Sequence, residues 1–312
     1  MKRILIILML ISYTLVACQK EEILTQEQET NIVNCKATSS FQWQTSVTTT
    51  GNTYSMFYNT TINANSQLII AIHEGAFIGG NYTNMLPTNL LAHYEVTEQE
   101  LCDNNIAYVT IDYKLANTNP QGLNNTLADI YKTIEEIRGK ATLYNFNPDN
   151  IILFGVSSGA SAALRIALVQ SNNVRLNYIK GLICVDPQAS LDIITLRSTV
   201  FKDYTSYYDY EFNRPDIQAL LYPLYLTTNP QVILTTSQLM HYNYLNELDV
   251  LDPPILLINT RTDFLHHPLH TKAIKDKYTS ICNGNCYVSY SPVSQLINAP
   301  SMNIINFCNT VL

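Results

Sequence analysis

Five short stretches of the chain are almost wholly apolar: residues 68–72, 106–111, 151–154, 181–185 and 255–258. A strand with one wet face alternates polar and apolar side chains, so unbroken runs predict strands buried on both faces, as in a parallel sheet. Between the runs the period changes. Leu123, Leu127, Ile130, Ile134 and Ile137 recur at intervals of three and four, which predicts a helix with one buried face. Strand–helix alternation of this kind predicts a doubly wound α/β domain with right-handed crossovers. Upstream, Trp43, Tyr54, Met56 and Tyr58 occupy alternating positions with Gly51-Asn52 between the two halves, the pattern of a β-hairpin leading into the sheet. Residues 190–250 break the rhythm. They carry eight tyrosines (204, 207, 208, 210, 222, 225, 242 and 244) and no clean strand, and are read as a cap inserted between two strands. Tyrosine offers a flat apolar face with a polar tip, suited to lining a pocket, although packing within the cap accounts for most of these rings.

Candidate chemistry sits at the ends of the apolar runs. Gly155-Val156-Ser157-Ser158-Gly159 directly follows residues 151–154, and Ala160-Ser161-Ala162-Ala163-Leu164 opens a helix behind it. Strand, Gly-x-Ser-x-Gly, helix is the sequence form of a nucleophile elbow. The turn strains the serine backbone, so its flanking residues must be small. It also lifts the hydroxyl to the start of a helix, whose dipole favours developing negative charge.

His73-Glu74-Gly75-Ala76-Phe77 follows the run 68–72. Here the chain resembles the hormone-sensitive-lipase and carboxylesterase branches of the α/β-hydrolases, whose motif at this place is His-Gly-Gly-Gly-Phe. The resemblance implies that the backbone N–H groups of Gly75 and Ala76, with that of Ser158, face a substrate oxyanion. It also implies that His73 is structural. Glu74 and Ala76 depart from the family's glycines, and Glu74 brings a carboxylate near the site. Asp112-Tyr113-Lys114-Leu115 is similar to the family's Asp-Tyr-Arg-Leu, which braces the oxyanion loop. After the cap, residues 253–259 match the family's next strand, and Asp263 stands where the family places the acid that orients a catalytic imidazole. The other reading of Asp263 is a loop-capping aspartate. The fold implied is a mostly parallel sheet of the α/β-hydrolase type with an inserted cap.

The family's histidine, which follows the last strand (here expected over residues 286–290), has no counterpart. The matching stretch reads Ser291-Pro292-Val293-Ser294-Gln295-Leu296, and the last of the six histidines is His270. Without a base a serine hydroxyl is a poor nucleophile near neutral pH. His266 and His267 follow Asp263 by three and four residues, on a loop expected at the same sheet edge as Ser157. Either is a candidate base, and both as ordinary surface histidines is the competing reading. His93 is expected in a helix beyond the oxyanion loop, His241 late in the cap, and His270 one helical turn further on.

Charge and targeting narrow the setting. The 312 residues carry 18 Lys and Arg against 25 Asp and Glu, a formal charge of −7, with no basic run. That removes the electrostatic footprint of a nucleic-acid binder. Lys2 and Arg3 precede an apolar run over residues 4–10, and Leu15-Val16-Ala17-Cys18 follows. This is a signal peptide, too short to stay as a spanning helix. Its ending resembles the bacterial lipoprotein signal, which implies cleavage after residue 17 and lipid on Cys18. Gln19-Lys20-Glu21-Glu22 looks like the acidic signal that sends some Gram-negative lipoproteins to the outer face of the cell. The division expected is therefore 1–17 signal peptide, 18–36 flexible tether and 37–312 hydrolase domain, with the cap over about 190–250. The remaining cysteines are 35, 102, 184, 282, 286 and 308. Export permits disulfides. Cys35 with Cys102 and Cys282 with Cys286 are candidate pairs, while Cys184, in an apolar run, is expected to be a buried thiol. No Cys or His spacing suits a metal, and no cofactor is implied.

Two functions follow. In the first, Ser157 is the nucleophile of a serine esterase acting on a small-molecule ester, with Asp263 orienting the base. In the second, the missing histidine marks a surface protein that keeps the scaffold for ligand binding, since fold alone does not settle function. The retained Gly155, Ser157, Gly159 and Gly75 favour the first.

Overall fold

The hairpin at the start of the sheet closes where Gly51-Asn52 placed it. Thr48 N–H donates to the Asn52 carbonyl at 2.8 Å, and Gly51 turns at a φ of 89°. In this computed structural model the described residues are 42–58, 61–87, 96–118, 122–168, 176–221, 224, 243–282, 288–291 and 304–311. All of them fall within one compact unit, Cys35–Leu312. The expected signal peptide, Cys18, tether and Cys35 lie outside the described residues, as do His93, His241, Cys286, Tyr222, Tyr225 and Tyr242.

Eight strands form one sheet: β1 (Gln42–Val47), β2 (Thr53–Tyr58), β3 (Gln67–Ile72), β4 (Ile106–Ile111), β5 (Ile151–Val156), β6 (Ile179–Val185), β7 (Ile255–Ile258) and β8 (Val288–Ser291). Their order is β1-β2-β4-β3-β5-β6-β7-β8. The first two pairings, β1–β2 and β2–β4, are antiparallel and all the others are parallel. This is the doubly wound, mostly parallel sheet of the α/β-hydrolase fold. The strands begin and end within two residues of the apolar runs, because those runs are what the two covering layers demand. Leu68, Ile70 and Ile72 pack into one layer and Ile69 and Ala71 into the other. Every one of these side chains is buried, so none can be polar without a partner.

Helices cover both faces. The long helix α2 (Gly122–Arg138) buries Leu123, Leu127, Ile130, Ile134 and Ile137, the predicted stripe. The helix after the elbow, α3 (Ser158–Leu168), packs in the same layer. The opposite layer holds residues of α1 (Glu98–Asp103) and of the C-terminal α7 (Ile304–Thr310). Between β6 and β7 the described residues form short helices, among them α4 (Thr205–Phe212) and α5 (Pro215–Leu221), and no strand. A helix of fifteen residues, α6 (Pro268–Cys282), joins β7 to β8. Cys184 is the buried free thiol expected, Cys308 is a second, and burial pushes both thiols up. Cys102 is disulfide-bonded.

The strand order has one reversal that matters for chemistry. The chain leaves β3 for β4 on one side and returns to β5 on the other. At such a switch point the outgoing loops diverge and leave a crevice at the carboxyl ends of the strands. The loop after β3 and the turn after β5 flank this crevice.

Candidate active site

Ser157 sits between β5 and α3 with a φ of 52°, in the left-handed region. A non-glycine residue there costs roughly 1–2 kcal/mol, a strain that persists only where the surroundings impose it. They do so on both sides. Ser157 N–H donates to the Val185 carbonyl at 2.8 Å, and its own carbonyl accepts from Ser161 N–H at 3.0 Å. The motif's glycines are explained by close approach. A Cβ on Gly155 would stand 2.2 Å from the backbone of Gly159, and one on Gly159 would stand 2.1 Å from the Ile72 carbonyl oxygen. The second contact presses the end of β3, and with it the following loop, against the start of α3.

An imidazole reaches Ser157 from the short turn that Asp263 caps. Asp263 is the N-cap of a 3-10 turn, Phe264–His266, and its carboxylate accepts from Leu265 N–H at 3.1 Å. His266 is the third residue of that turn, and its N–H closes the turn on the Asp263 carbonyl at 3.1 Å. Cap and third residue of a helical turn stand side by side, the geometry that lets a capping box form. Here the pair is carboxylate and imidazole: His266 Nδ1 lies 2.8 Å from both Oδ1 and Oδ2 of Asp263. On the other side of the ring, Nε2 lies 2.9 Å from Ser157 Oγ. With the proton on Nδ1, the imidazole donates to Asp263 and its Nε2 accepts from the serine hydroxyl. Asp263 is thus both the loop cap and the partner of the imidazole. Partial burial raises its carboxyl, but the hydrogen bonds from His266 and Leu265 outweigh that and hold it below the usual range.

Of the two candidate histidines, the structure brings only His266 to Ser157. His267 turns the other way, onto Phe201 and Tyr207, with ring centroids 5.6 Å from each. Its Nδ1 accepts from Leu269 N–H at 3.2 Å, which caps α6 just before Pro268. Burial lowers its affinity for a proton. His270 is buried, accepts from Ala189 N–H at Nδ1 and donates from Nε2 to the Phe264 carbonyl, and burial pushes it down to about 3. It is a neutral brace behind the turn. Phe264 fills the same apolar cluster, 5.4 Å from Phe201 and 5.5 Å from Tyr208. Among the cap tyrosines, Tyr207, Tyr208 and Tyr244 pack inward, while Tyr204 and Tyr210 are exposed.

Buried polar residues that the sequence reading missed hold the turn. Asp186, directly after β6, is wholly buried with a φ of 50°. Its carboxylate accepts from Asn259 Nδ2 (2.9 Å), Thr260 N–H (2.6 Å), the Thr260 hydroxyl and Arg261 N–H (3.2 Å). Asn259 also donates to the His266 carbonyl at 3.0 Å. Gln188 accepts from the Ser161 hydroxyl and donates to the Leu265 carbonyl at 2.9 Å, tying α3 to the residue beside His266. The available signal was an acid or amide placed immediately after a buried apolar strand, the position of Asp186 and Asn259 alike.

The loop after β3 has positive φ at three consecutive residues, 123° at Gly75, 52° at Ala76 and 62° at Phe77, and the last two, which carry a Cβ, are strained. The Gly75 carbonyl accepts from Ile78 and Gly79 N–H, and the Phe77 carbonyl accepts from Ala116 N–H at 2.7 Å. Asp112 takes the Tyr82 N–H at 2.5 Å, and Tyr113 stacks on His73 at 4.0 Å while its hydroxyl donates to the His73 carbonyl. The Asp-Tyr segment therefore braces this loop, as the resemblance implied. His73 is buried beneath it, and burial pushes it down to about 4 despite its bond to the Glu74 carbonyl. Ser158 opens α3 beside the loop. Glu74 points across the crevice to Arg261, whose Nη2 donates to Oε2 at 2.7 Å. Among the described residues no group of His, Cys, Asp and Glu is placed to hold a metal ion.

Comparison with known proteins agrees with this fold. The family model BD-FAE matches residues 55–277. No curated protein matches the chain in sequence. Among solved structures, a brefeldin A esterase, described as a bacterial homologue of human hormone-sensitive lipase, aligns with a TM-score of 0.61 at 14% identity, over 87% of this chain and 76% of its own. Esterase B from Lactobacillus rhamnosis aligns at 0.58 and 17% identity, over 88% of each chain. A hyperthermophilic esterase from the archaeon Pyrobaculum calidifontis aligns at 0.59 and 13% identity, over 88% of this chain and 83% of its own. At these identities the likeness is one of fold.

Proposed function

The chain belongs to the BD-FAE family, and from that footing we propose that it is a carboxylic-ester hydrolase working through an acyl-enzyme on Ser157. The observation that carries the reading is one contact: His266 Nε2 stands 2.9 Å from Ser157 Oγ while Nδ1 of the same ring rests on Asp263.

The mechanism follows from the roles these groups can fill. Ser157 Oγ attacks the ester carbonyl carbon as His266 takes its proton. The carbonyl oxygen becomes an anion, for which the backbone N–H groups of Gly75, Ala76 and Ser158 are the intended donors. His266 returns the proton to the leaving alkoxide, which departs as an alcohol. Water then attacks the acyl-enzyme with His266 again as base, releasing the acid and restoring Ser157. Asp263 fixes the Nδ1–H tautomer and stabilises the imidazolium formed in each step. Its side chain is 57% exposed, so orientation through the hydrogen bonds matters more here than a buried charge would. The substrate class is a small-molecule ester, in keeping with the esterases that share the fold.

A ligand-binding protein on a silent scaffold has no need of a base at its serine, and the Ser157–His266 contact speaks against it. The test is turnover of a short-chain aryl ester by wild type and Ser157→Ala. Hydrolysis by wild type that the substitution abolishes supports the reading. A wild type without turnover that still binds a ligand in the crevice replaces it with the binding reading.

The setting proposed is the outer membrane or cell surface, with lipid on Cys18 as the only membrane attachment. No helix among the described residues is long and apolar enough to cross a membrane. Labelling with a radioactive fatty acid that Cys18→Ser abolishes supports the anchor, and an unlabelled, freely soluble exported product refutes it. The Cys35–Cys102 and Cys282–Cys286 pairings are part of the same proposal.

A further inference from the structure

Arg261 stands at the centre of a chain of charges that crosses the crevice. Its Nη2 donates to Glu74 Oε2 at 2.7 Å, its Nε lies 3.7 Å from Asp186 Oδ2, and its Nη1 lies 3.4 Å from His266 Nε2. Glu74 belongs to the loop after β3, Arg261 to the loop after β7, and Asp186 to the end of β6. One guanidinium therefore links the strained loop, the base and the buried carboxylate that organises the base's turn. Glu74 occupies the position where the resemblance expected a glycine, so an otherwise featureless backbone site has acquired a side chain with a specific partner.

A cation 3.4 Å from a catalytic imidazole opposes catalysis if nothing balances it. When His266 takes the serine proton, Nε2 becomes an N–H of an imidazolium, and a bare guanidinium beside it would raise the energy of that state. Two carboxylates flank Arg261 and supply the balance. The other charged or titratable groups around His266 are Asp263 on its own turn, Ser157 on the elbow, and His267 and His270 at the start of α6. Tyr207 of α4 faces Asp263. Among the described residues, Arg261 is the fixed positive charge that touches the His266 ring.

We propose that Glu74 and Arg261 are a positioning pair that straps the oxyanion loop to the base's loop and sets the basicity of His266. Resting on the esterase reading, this assigns Glu74 a purpose: it compensates Arg261, so that the guanidinium can hold the two loops together without disabling the base. Neither residue takes part in bond making; both act through the loop and the imidazole.

The pair predicts pH behaviour that a merely structural strap would not show. Glu74→Gln leaves Arg261 undercompensated, so the imidazolium is harder to form. The acid limb of kcat/KM for a short-chain aryl ester moves to lower pH by about 0.5–1 unit, and kcat falls. Arg261→Gln removes the cation and moves the limb to higher pH by a similar amount. The double variant returns the limb close to the wild-type position. Arg261→Lys keeps the charge and loses the fork, so its limb stays in place while kcat falls. Opposite shifts in the two single variants, reversed in the double, establish the proposal. Shifts in the same direction, or loss of activity with the limb unmoved in both, overturn it while leaving Ser157 chemistry intact. A wild type with no turnover overturns the esterase reading and this inference with it.

Discussion

His266 reaches Asp263 across a single 3-10 turn: the imidazole Nδ1 lies 2.8 Å from each carboxylate oxygen of a residue only three positions upstream. An acid and a base so close in sequence move together, because the backbone bond that closes the turn also fixes their spacing. The pair needs only its turn to be held in place, and Gln188 and Asn259 hold it.

If His266 is the base, His266→Ala lowers kcat on a short-chain aryl ester by roughly 10²–10⁴-fold and changes KM little. His267→Ala leaves kcat within a few-fold of wild type. It loses a helix cap and a contact with Phe201, so it lowers stability to urea by about 1 kcal/mol. Steady-state kinetics and urea unfolding on both variants separate the two roles. Equal losses of kcat would contradict the assignment.

Asp263→Asn tests the two tasks of the aspartate separately. The amide oxygen can still cap the turn, so the unfolding midpoint changes little. The amide N–H can face the ring and favour the other imidazole tautomer, so Nε2 no longer accepts the serine proton, and kcat falls by ~10²-fold or more. Asp263→Ala loses both and is also less stable, by about 1 kcal/mol. Thermal unfolding beside kinetics reads out the difference, and an Asn variant with wild-type kcat would limit Asp263 to capping.

Much of this was legible beforehand, and the reasons differ by element. The parallel strands were visible because residues such as Ile69 and Ile70 face two different buried layers, which forces a continuous apolar run. The elbow was visible because close backbone approach at Gly155 and Gly159 admits only glycine. The choice between His266 and His267 was not, since it depends on which way the turn faces once Phe264 is buried against Phe201 and Tyr208. Asp186 and Gln188 escaped notice because they bond backbone groups of a loop about 75 residues away, and Asn259 because it is held by the Asp186 side chain, 73 positions upstream; no local spacing encodes either. Glu74 stood out as a departure, but its partner Arg261 lies 187 positions downstream.

Two buried histidines make stability pH-dependent. Burial lowers His73 from 6.5 to about 4 and His270 from 6.5 to about 3. The unfolded chain therefore binds protons that the folded chain refuses once pH drops below 6.5. The stability they contribute is complete above that pH and declines on acidification towards the folded values, at about 1.4 kcal/mol per pH unit for each group. Urea unfolding at pH 7 and pH 5 shows the decline, and His270→Gln makes it shallower. A His270→Gln protein with the wild-type slope would mean that His270 is not held neutral.

Asp186→Ala leaves the half-buried N–H groups of Thr260 and Arg261 without their acceptor, while Asn259 Nδ2 loses one acceptor and keeps the Arg261 and His266 carbonyls. Each uncompensated group costs roughly 1–3 kcal/mol. The variant is expected to lose at least ~2 kcal/mol in urea unfolding, and kcat falls with it because the turn carrying His266 is released. Proteolysis that begins in the segment 259–266 would locate the loosening. Unchanged stability would show that the loop does not depend on this carboxylate.

The central claim, that Ser157 is a nucleophile activated by His266 from within the acid's own turn, is tested most directly by the rate at which a fluorophosphonate adds to the protein. Intact mass gives the rate and peptide mapping gives the residue. The account predicts one adduct per chain, mapped to Ser157 and absent in Ser157→Ala, with His266→Ala labelled roughly 10²–10⁴-fold more slowly. An adduct on another residue, or a His266→Ala protein labelled at the wild-type rate, would contradict it.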